Sequence, residues 1–372
     1  MADTPIAAQA QPDAAACDGT KSAPEAQGGA LIRRLRAEIC CVLDGELDGV
    51  RSFALLDFPD HANVGDSAIY LGEITWLRAW HGIAPAYVCT VDNFSADTLR
   101  RAVPDGPIFL HGGGNFGDIW PHHQHLREAV LRAFPERRIV QLPQTIHFDD
   151  PSNLSRARDL IAGHGNFLLL VRDRKSLELA RTAFDCEVRL CPDMALALEP
   201  RIPPVWMVHP LVLLLRSDRE RAGRKADTPL PAGALASDWL HESPYLRESM
   251  RWLSGLRVAV DGAGPVHDRN HHRERFYAAL AAHRVGRGLR LLGAGRSVIT
   301  DRLHGHLLCL LLGLPHIVFD NRYGKLEGFI STWTAGSGLV ARAPDLPAAL
   351  LQWNARFYDR LPEVAWQIRT GQ

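Results

Sequence analysis

The feature that most constrains the fold is an alternation, repeated along most of the chain, between short apolar segments and amphipathic stretches. The apolar parts of segments such as FLLLVRD and LVLLLRSDRE are long enough only for a strand, and every residue in them, FLLLV and LVLLL, is apolar. A strand with this pattern is buried on both faces, which is typical of a parallel sheet covered by helices. The alternation therefore predicts an α/β fold with parallel sheets, in which the intervening stretches supply the helices.

A proline-rich segment near residue 200, EPRIPPVWM, interrupts the alternation and predicts a boundary between two α/β domains. The length of 372 residues agrees with two domains, because single hydrophobic cores stop growing at about 250–300 residues. The composition of the first residues, rich in alanine, glutamine and proline, is typical of disorder. The predicted organisation is a disordered leader over 1–28, an N-terminal domain over 29–200, a C-terminal domain over 201–335 and a helical segment over 336–372.

Charge and cysteine usage exclude several classes of partner. Basic and acidic residues both number 42, so no net charge draws the chain to nucleic acid or to an anionic membrane. The seven cysteines form no C-x-x-C pair, which indicates reduced thiols in a cytoplasmic protein. The N-terminus lacks the apolar region of a secretory signal, and no apolar run approaches the ~18 residues that suggest a spanning helix.

Peripheral contact with the inner face of a membrane is the most that the sequence supports. The amphipathic stretch ALIRRLRAEICCVLDGEL carries Arg33, Arg34 and Arg36, which could meet anionic headgroups. A solvated helix face is the simpler interpretation of these three arginines.

Polar residues collect where the predicted strands end, and ligands of open α/β sheets bind beyond the carboxyl ends of the strands. In DHANVGDS, Asp66 either caps the following helix or binds sugar hydroxyls and acts as a base. In HGGGNFGD, Gly112, Gly113 and Gly114 form a predicted loop whose backbone N–H groups could approach an anion, together with Asn115. A purely structural tight turn is the alternative for these glycines.

Three histidines follow the glycine-rich segment. His122, His123 and His125 could suggest a zinc site and a metal-dependent hydrolase, but this spacing does not place three imidazoles on one helix face. We therefore expect no metal, and we expect one of the three imidazoles to point into the cleft.

Arg172 ends another apolar strand, and Arg174 and Lys175 begin the helix that follows. Cations at a helix N-terminus attract an anion, because the backbone N–H groups there carry partial positive charge. A surface ion pair with Asp173 is the alternative for Arg172.

The stretch ITDRLHGHLLCLLLGLP places polar groups before the most apolar helix of the chain. Thr300 or Asp301 can cap this helix, and Arg302 and His304 lie in its first turn, where an anion would be bound. His306 lies about 200° around the helix from His304, so both cannot line one pocket. A core position is the alternative for His304. Taken together, the junctions predict a site with several cationic groups, suited to a small polyanion such as a phosphorylated carboxylic acid.

Several motifs resemble those of the polysaccharide pyruvyl transferase family, in matching order from about residue 52 to residue 335. They are NVGDSAI, HGGGNFGDIWPHHQ, QLPQTIHF, VRDRKSLELA, CPDMALAL, ITDRLHGHLLCLLLGLPHIVFDN and YGKLEGFISTW. The resemblance implies two Rossmann-like domains facing across a cleft, as in the GT-B fold. It also implies transfer of the pyruvyl group of phosphoenolpyruvate to two hydroxyls of a sugar in an exopolysaccharide repeat unit, with formation of a cyclic ketal and release of phosphate. Both a lipid-linked and a free repeat unit are candidate acceptors.

The same resemblance assigns residues. It implies that the donor is held by Arg172, Arg302, Leu303 and His304 and that His123 belongs to the site. The last three donor residues lie in the predicted C-terminal domain. We interpret His304 as the acid that protonates C3 of the donor, since an imidazole can supply a proton near neutral pH. Hydroxyl protons would pass to Asp66, to His123 or to a third candidate, His111. No cofactor besides the donor substrate is implied.

Other functions compete with this one. A GT-B glycosyltransferase that uses a nucleotide sugar would share the fold and the anion sites, and a non-catalytic binding module would share the fold. Galactose, glucose, mannose and N-acetylmannosamine are all candidate acceptors.

Overall fold

The computed structural model describes residues 23–199, 207–217, 229–243, 245, 266–320 and 324–357. Most of the predicted leader, most of the EPRIPPVWM segment and the last fifteen residues therefore lie outside the described residues. Residues 23–28, which were assigned to the leader, are already helical, because the first helix begins at Ala23.

Over the described residues, the first sheet contains seven strands, all paired in parallel, in the order β2-β1-β3-β5-β6-β7, with β4 paired to β5 beside this path. These strands are β1 (Ala54–Leu56), β2 (Tyr87–Cys89), β3 (Ile108–Leu110), β4 (Gly113–Gly117), β5 (Ile139–His147), β6 (Phe167–Val171) and β7 (Glu187–Leu190). The helices of this half are α1 (Ala23–Leu43), α2 (Val64–His81), α3 (Ala96–Ala102), α4 (Pro121–Ala133), α5 (Pro151–Ala162) and α6 (Arg174–Ala183), followed by a 3₁₀ turn (Met194–Ala197).

The second sheet contains five parallel strands in the order β12-β11-β10-β8-β9. They are β8 (Val212–Leu214), β9 (Leu235–Ser237), β10 (Val298–Thr300), β11 (His316–Val318) and β12 (Val340–Arg342). The helices of this half are α7 (Val266–Gly293), α8 (Leu303–Leu312), α9 (Lys325–Phe329), a π-helical turn (Ile330–Thr334) and α10 (Leu346–Phe357). The predicted α/β architecture with parallel sheets is thus confirmed.

Apolar side chains connect the two sheets. One continuous cluster includes Leu35 of α1, Leu168 of β6, Leu214 of β8, Leu280 of α7 and Leu307 of α8. Separate clusters cover the other face of each sheet. The helices that lie between the sheets therefore bury one shared core, and the division into two domains stays a prediction.

In each sheet the strand order reverses at one strand. In the first sheet β2 and β3 lie on opposite sides of β1, and in the second sheet β9 and β10 lie on opposite sides of β8. The crevice beyond the carboxyl ends of such neighbouring strands is where open α/β sheets bind ligands.

Helix α8 explains the long apolar run. Every residue from Leu303 to Leu310 is buried, as expected for a helix that is apolar on all sides. It ends at Gly313, whose φ of 67° is the left-handed conformation that glycine adopts without strain. The apolar body fixes the first turn of α8 in place.

Several local predictions were wrong. The segment after β3 was predicted as a loop, but Gly113–Gly117 forms β4, and β5 continues through Pro143 with a register shift beside it. The stretch KADTPLPAGALASDW, whose proline and glycine residues predict a long loop, contains β9, and β12 extends the second sheet beyond residue 335. Strands β9 (LAS) and β12 (VAR) are only partly buried and lie outside continuous apolar segments, which explains why they were missed, whereas the equally short β8 lies in an apolar run.

Two of the three arginines of α1, Arg34 and Arg36, contact other parts of the protein, whereas Arg33 is exposed. Arg36 donates hydrogen bonds to the carbonyl oxygens of Leu196, at 2.8 Å, and Leu198, and Arg34 donates to the carbonyl of Trp333 at 3.3 Å. Among the helices of the described residues, none combines the length and the apolar character needed to cross a bilayer.

Candidate active site

A cavity of about 340 Å³ lies where the carboxyl ends of the two sheets meet. Its walls come from the segments after β1, β3, β6, β8, β9, β10 and β11, so it spans both points at which the strand order reverses. The residues that line it are Pro59, His61, Ala62, Asn63, Asp66, His111, Gly114, Asn115, Trp120, His122, His123, Arg172, Arg216, Trp239, Leu240, Arg302, Leu303, His304 and Lys325.

Arg172 follows β6 and is held by two neighbours. Its Nη1 donates to Asp193 Oδ2 at 2.5 Å, and its Nε donates to Thr145 Oγ1 at 3.0 Å. Asp193 also accepts a hydrogen bond from the Ala195 backbone at 2.9 Å. Burial would raise the pKa of Asp193, but His304 and Arg172 hold it well below its ordinary value, so the carboxylate is charged. The alternative of a surface pair with Asp173 is wrong, because Arg172 is buried and paired with Asp193.

Arg302 approaches the cavity from the second sheet. Its Nη2 donates to Asp238 Oδ2 at 2.7 Å, and its guanidinium lies 5.7 Å from the ring centre of Trp239. Arg302 itself occupies the N-cap position of α8, and its backbone N–H donates to Thr300 Oγ1 at 3.1 Å. Asp301 accepts instead from the Arg216 backbone at 2.8 Å. The backbone and a neighbouring carboxylate therefore fix this guanidinium beside the cavity.

His304 lies in the first turn of α8, between the two sheets. Its Nε2 is 3.4 Å from Asp193 Oδ2. The other side of the ring lies against the backbone of Gly65 so closely that a Cβ at this position would overlap Nδ1. The alternative of a core position is wrong, because His304 lines the cavity together with Leu303. His306 points elsewhere, as predicted, and its Nδ1 lies 2.7 Å from His316 Nε2.

His123 is the member of its cluster that a carboxylate holds. Its Nδ1 lies 2.8 Å from both carboxylate oxygens of Asp57, the residue after β1. Asp57 has a φ of 74°, a conformation that costs energy for a residue with a side chain. Burial would raise the pKa of Asp57, but the hydrogen bond and charge of His123 lower it. His122 also lines the cavity, so two of the three imidazoles face it rather than the one predicted, while His125 lines a neighbouring groove. No three metal-binding side chains converge among the described residues.

Asp66 lies in the first turn of α2 and lines the cavity. The predicted capping role belongs to Asn63 instead, whose side chain accepts from the Gly65 N–H at 3.1 Å. Asn63 also donates to Asp66 Oδ2 at 2.7 Å, and His61 Nε2 is 3.5 Å from the same oxygen. Burial opposes ionisation of Asp66, but the imidazole charges of His61 and His304 lower its pKa. Asp66 is thus a carboxylate that faces the cavity.

His111 forms a second buried pair of imidazole and carboxylate. Its Nδ1 lies 2.8 Å from Glu73 Oε2, and Glu73 Oε1 accepts from the Gly112 N–H at 2.8 Å. Burial raises the pKa of Glu73. Burial alone would lower the pKa of His111, but the charge and hydrogen bond of Glu73 outweigh it, so the pKa of His111 is raised.

The glycine-rich segment does not form the predicted anion-binding loop. The N–H of Gly112 is used by Glu73, and the N–H of Asn115 donates to Gln144 at 3.1 Å. Neither Gly112 nor Gly113 lines the cavity, whereas Gly114 and Asn115 do. Gly113 has a φ of 123°, which explains the glycine there.

Gly114 has a different role from the one predicted. A Cβ on Gly114 would lie 3.1 Å from Arg172 Nη2 and 3.2 Å from Lys325 Nζ. The missing side chain therefore leaves room for two cations at the cavity wall.

Two further predicted cations lie away from the cavity. Arg174 and Lys175 are exposed, and Asp173 caps α6 by accepting from the Ser176 N–H at 2.8 Å. An ordinary capping carboxylate thus occupies the place where an anion was expected.

Sequence reasoning missed several residues of the site: Asp57, Glu73, Asp193, Arg216, Asp238, Trp239 and Lys325. Asp193 and Lys325 lie in the motifs CPDMALAL and YGKLEGFISTW, so the motif comparison contained the signal for both. Asp57 directly follows a strand, which was the signal used for Arg172.

The parallel sheets define a mixed α/β protein, which is consistent with a Rossmann-like or GT-B-type fold. A crystal structure of a functionally uncharacterized protein from Klebsiella pneumoniae matches this fold with a TM-score of 0.51 and 14% identity, covering 87% of this chain and 100% of the other. A likeness at this identity concerns the fold alone.

Sequence comparisons assign the family. The pattern of the polysaccharide pyruvyl transferase family matches residues 63–323. Pyruvyl transferase 1 of Schizosaccharomyces pombe is 35% identical over an alignment of 337 residues, which covers 83% of this chain and 78% of that protein. EpsO of Bacillus subtilis, which carries a pyruvyl transferase name, is 33% identical over 284 residues, 75% of this chain and 84% of the other. The chain belongs to the polysaccharide pyruvyl transferase family and is therefore a transferase, as predicted.

Proposed function

We propose that this protein moves the pyruvyl group of phosphoenolpyruvate onto two hydroxyls of one sugar in an exopolysaccharide repeat unit. A cyclic ketal forms and phosphate is released. The observation that carries the proposal is that Arg172 of the first sheet and Arg302 and His304 of the second sheet line one cavity. The acceptor in this proposal is a lipid-linked repeat unit, and the reaction takes place at the cytoplasmic face of the membrane.

The cations suit both ends of the donor. Phosphoenolpyruvate carries a carboxylate and a phosphate, and a guanidinium can bind either group with two parallel hydrogen bonds. Asp193 and Asp238 hold Arg172 and Arg302 in fixed positions, so little side-chain entropy is lost on binding. Lys325, whose Nζ is 3.5 Å from the Gly114 carbonyl, adds a third charge at the same wall.

In this proposal His304 acts as the acid and donates a proton from its imidazole, whose Nε2 lies 3.4 Å from Asp193 Oδ2. Transfer of that proton to C3 of the donor makes C2 electrophilic, and a sugar hydroxyl then forms a bond to C2. The C2–O bond to phosphate breaks, and the second hydroxyl closes the ketal. No cofactor and no metal is required by this sequence of steps.

Protons from the hydroxyls need acceptors on the opposite wall. His123, held by Asp57, is placed to take one of them, and Asp66 is a second charged acceptor at the cavity. One of the two hydroxyl protons replaces the proton that His304 gives to C3, and the other leaves with phosphate. The proton count therefore balances without an external acid or base.

A donor screen tests the proposal. Calorimetry with phosphoenolpyruvate and with nucleotide sugars separates a pyruvyl transferase from the competing nucleotide-sugar glycosyltransferase, and phosphate release confirms turnover. We expect binding of phosphoenolpyruvate and none of the nucleotide sugars. Mass spectrometry of the polysaccharide from cells with and without this protein should then reveal a pyruvate-sized loss, whereas identical spectra would exclude the acceptor proposed here.

A further inference from the structure

A groove of about 640 Å³ adjoins the cavity and is larger than the cavity itself. His61, His122 and His123 line both spaces and form the boundary between them. A molecule lying in the groove would therefore present its end to the same imidazole, His123, that faces the proposed donor.

The groove and the cavity differ in charge. Arg172, Arg302 and Lys325 line the cavity. The lining of the groove contains Asp92, Asp60, which pairs with Arg284 at 3.5 Å, and four histidines, and over the described residues it contains neither lysine nor arginine. An anionic donor is therefore attracted to the first space much more strongly than to the second, and the groove suits an uncharged molecule rich in hydroxyls.

The groove also offers apolar surface. Phe58 and Leu126 contribute buried side chains, and Phe94 is half-buried at its wall. Small-molecule sites commonly combine such surface with a few placed polar groups. A carboxylate accepts hydrogen bonds from sugar hydroxyls, and the C–H face of a sugar ring can cover an aromatic side chain.

The loop that carries Asp92 and Phe94 is fixed by its neighbour. The Thr90 N–H donates to Asn93 Oδ1 at 3.0 Å, and Asn93 Nδ2 donates to the Tyr277 hydroxyl at 3.0 Å. Since Tyr277 belongs to α7, this loop is attached to a long helix. Groups on a loop held in this way keep their positions when a ligand binds.

We propose that this groove binds the sugar unit next to the one that is pyruvylated, with Asp92 accepting hydrogen bonds from its hydroxyls and Phe94 packing on its ring. The proposal rests on the proposed function and adds the substrate class: an uncharged oligosaccharide of at least two units. The reacting sugar would lie at the His123 boundary.

Acceptor kinetics test the groove. With phosphoenolpyruvate saturating, phosphate release is measured with para-nitrophenyl glycosides of galactose, glucose and mannose and with the corresponding disaccharides. For each sugar that acts as an acceptor, we expect the corresponding disaccharide to have a lower KM than the monosaccharide glycoside. Asp92→Asn and Phe94→Ala should each raise that KM about tenfold, while the KM for phosphoenolpyruvate stays within about twofold.

Asp97→Asn is the matched control. Asp97 lies five positions after Asp92, is exposed, pairs with Arg100 at 3.0 Å and does not line the groove. This variant should behave as the native protein does. If no glycoside of the panel is an acceptor, fragments from mild acid hydrolysis of the pyruvate-free polysaccharide of the producing cell replace them.

Two failures are distinguishable. Absence of phosphoenolpyruvate binding and of phosphate release with every acceptor would contradict the proposed function itself. Normal phosphate release, with unchanged acceptor KM in both Asp92→Asn and Phe94→Ala or with monosaccharides as good as disaccharides, would overturn the groove alone. Should Phe94→Ala fail to fold, Asp92→Asn decides the question, since Asp92 is exposed and its replacement keeps the shape.

Discussion

His304 is the residue on which the proposed chemistry most depends, because it is the imidazole between Asp193 and the cavity. We predict that His304→Ala lowers kcat by about 10²–10⁴-fold, the usual contribution of a general acid, while phosphoenolpyruvate still binds the arginines. Stopped phosphate-release assays and calorimetry measure the two effects separately. His304→Gln, which fills the same space but carries no acidic proton, should lose as much, and a near-normal kcat in either variant would disprove this role.

Gly65 gives an independent test of the position of His304. A Cβ at residue 65 would overlap the imidazole, so Gly65→Ala must displace the ring of His304. We predict that kcat falls at least about tenfold, because misplacement of a catalytic group by about 1 Å is costly. Gly29→Ala in α1, where the nearest atom is 3.5 Å away, serves as the control and should keep full activity. Full activity of Gly65→Ala would contradict the inference that Gly65 sets the position of the His304 imidazole.

At this scale, the sequence predicts the residues that follow strands, but not their partners. Arg172, Arg302 and His304 were predicted from the ends of apolar strands and all line the cavity. Asp193 and Asp238 orient the two arginines, and each pairing joins segments distant in sequence, so a local pattern does not predict either pairing, although Asp193 itself lies in a family motif. The predicted role of Gly112 failed for the same reason, since its N–H bonds a glutamate 39 positions away.

Among the elements, α8 and β11 share a buried chain of hydrogen bonds. His306 Nε2 lies 2.9 Å from Thr334 Oγ1, and His306 Nδ1 meets His316, whose own Nδ1 lies 2.8 Å from the Leu314 carbonyl. Burial lowers the pKa of His316 to about 4, and burial and the neighbouring His316 lower that of His306 well below its ordinary value. Both imidazoles are therefore neutral in the folded protein.

The buried neutral histidines, His306 and His316, predict that the protein loses stability in mild acid. Because the folded pKa of His316 lies below the unfolded value, its contribution is complete above about pH 6.5 and is lost as pH falls toward 4. From about pH 7 to about pH 5 a single such histidine costs about 2 kcal/mol of the free energy of unfolding. Urea unfolding at both pH values measures the loss, and His316→Gln should lose about 2 kcal/mol less than the native protein. Equal losses in the two proteins would contradict the buried neutral histidine.

Elements that are apolar and buried throughout were predictable, and the partly exposed short ones were not. Helix α8 and strands β6 and β8 follow directly from their composition, since each buries all or nearly all of its side chains, although β8 has only three residues. Strand β9 has the sequence LAS and is only partly buried, and helix α9 has five residues, one of them glycine, so neither stands out from a loop. Their register is set by contacts with neighbouring strands and helices instead.

At the scale of the whole molecule, the site exists only where the two sheets meet. Arg287 of α7 donates to the carbonyl of Ala62, after β1, at 2.7 Å and to that of Trp239, after β9, at 2.8 Å. One side chain thus ties together two loops that line the cavity from different sheets. The cleft itself was predictable from the rule that ligands bind at strand ends. The apolar cluster shared by both sheets was not, because the facing of α1, α2, α7 and α8 is decided only in three dimensions.

A donor that bridges the sheets should stabilise the molecule as a whole. At a concentration of about 100 times its Kd, phosphoenolpyruvate should raise the free energy of unfolding by about 2.7 kcal/mol. Arg302→Lys keeps the charge that pairs with Asp238 but loses the bidentate hydrogen bonding of the guanidinium to the donor, so the Kd for phosphoenolpyruvate should rise at least about tenfold. At the same donor concentration the stabilisation then falls to about 1.4 kcal/mol or less.

Denaturant unfolding with and without donor measures this difference. Arg174→Lys is the matched control, because Arg174 is exposed on α6 and does not line the cavity, so the full stabilisation should be retained. The comparison separates two arrangements of the donor. If phosphoenolpyruvate contacts only Arg172 and the first sheet, Arg302→Lys and Arg174→Lys will be stabilised equally. If the donor is held between the sheets, only Arg302→Lys loses stabilisation, and the acid on α8 is then brought to the donor by the same contact that binds it.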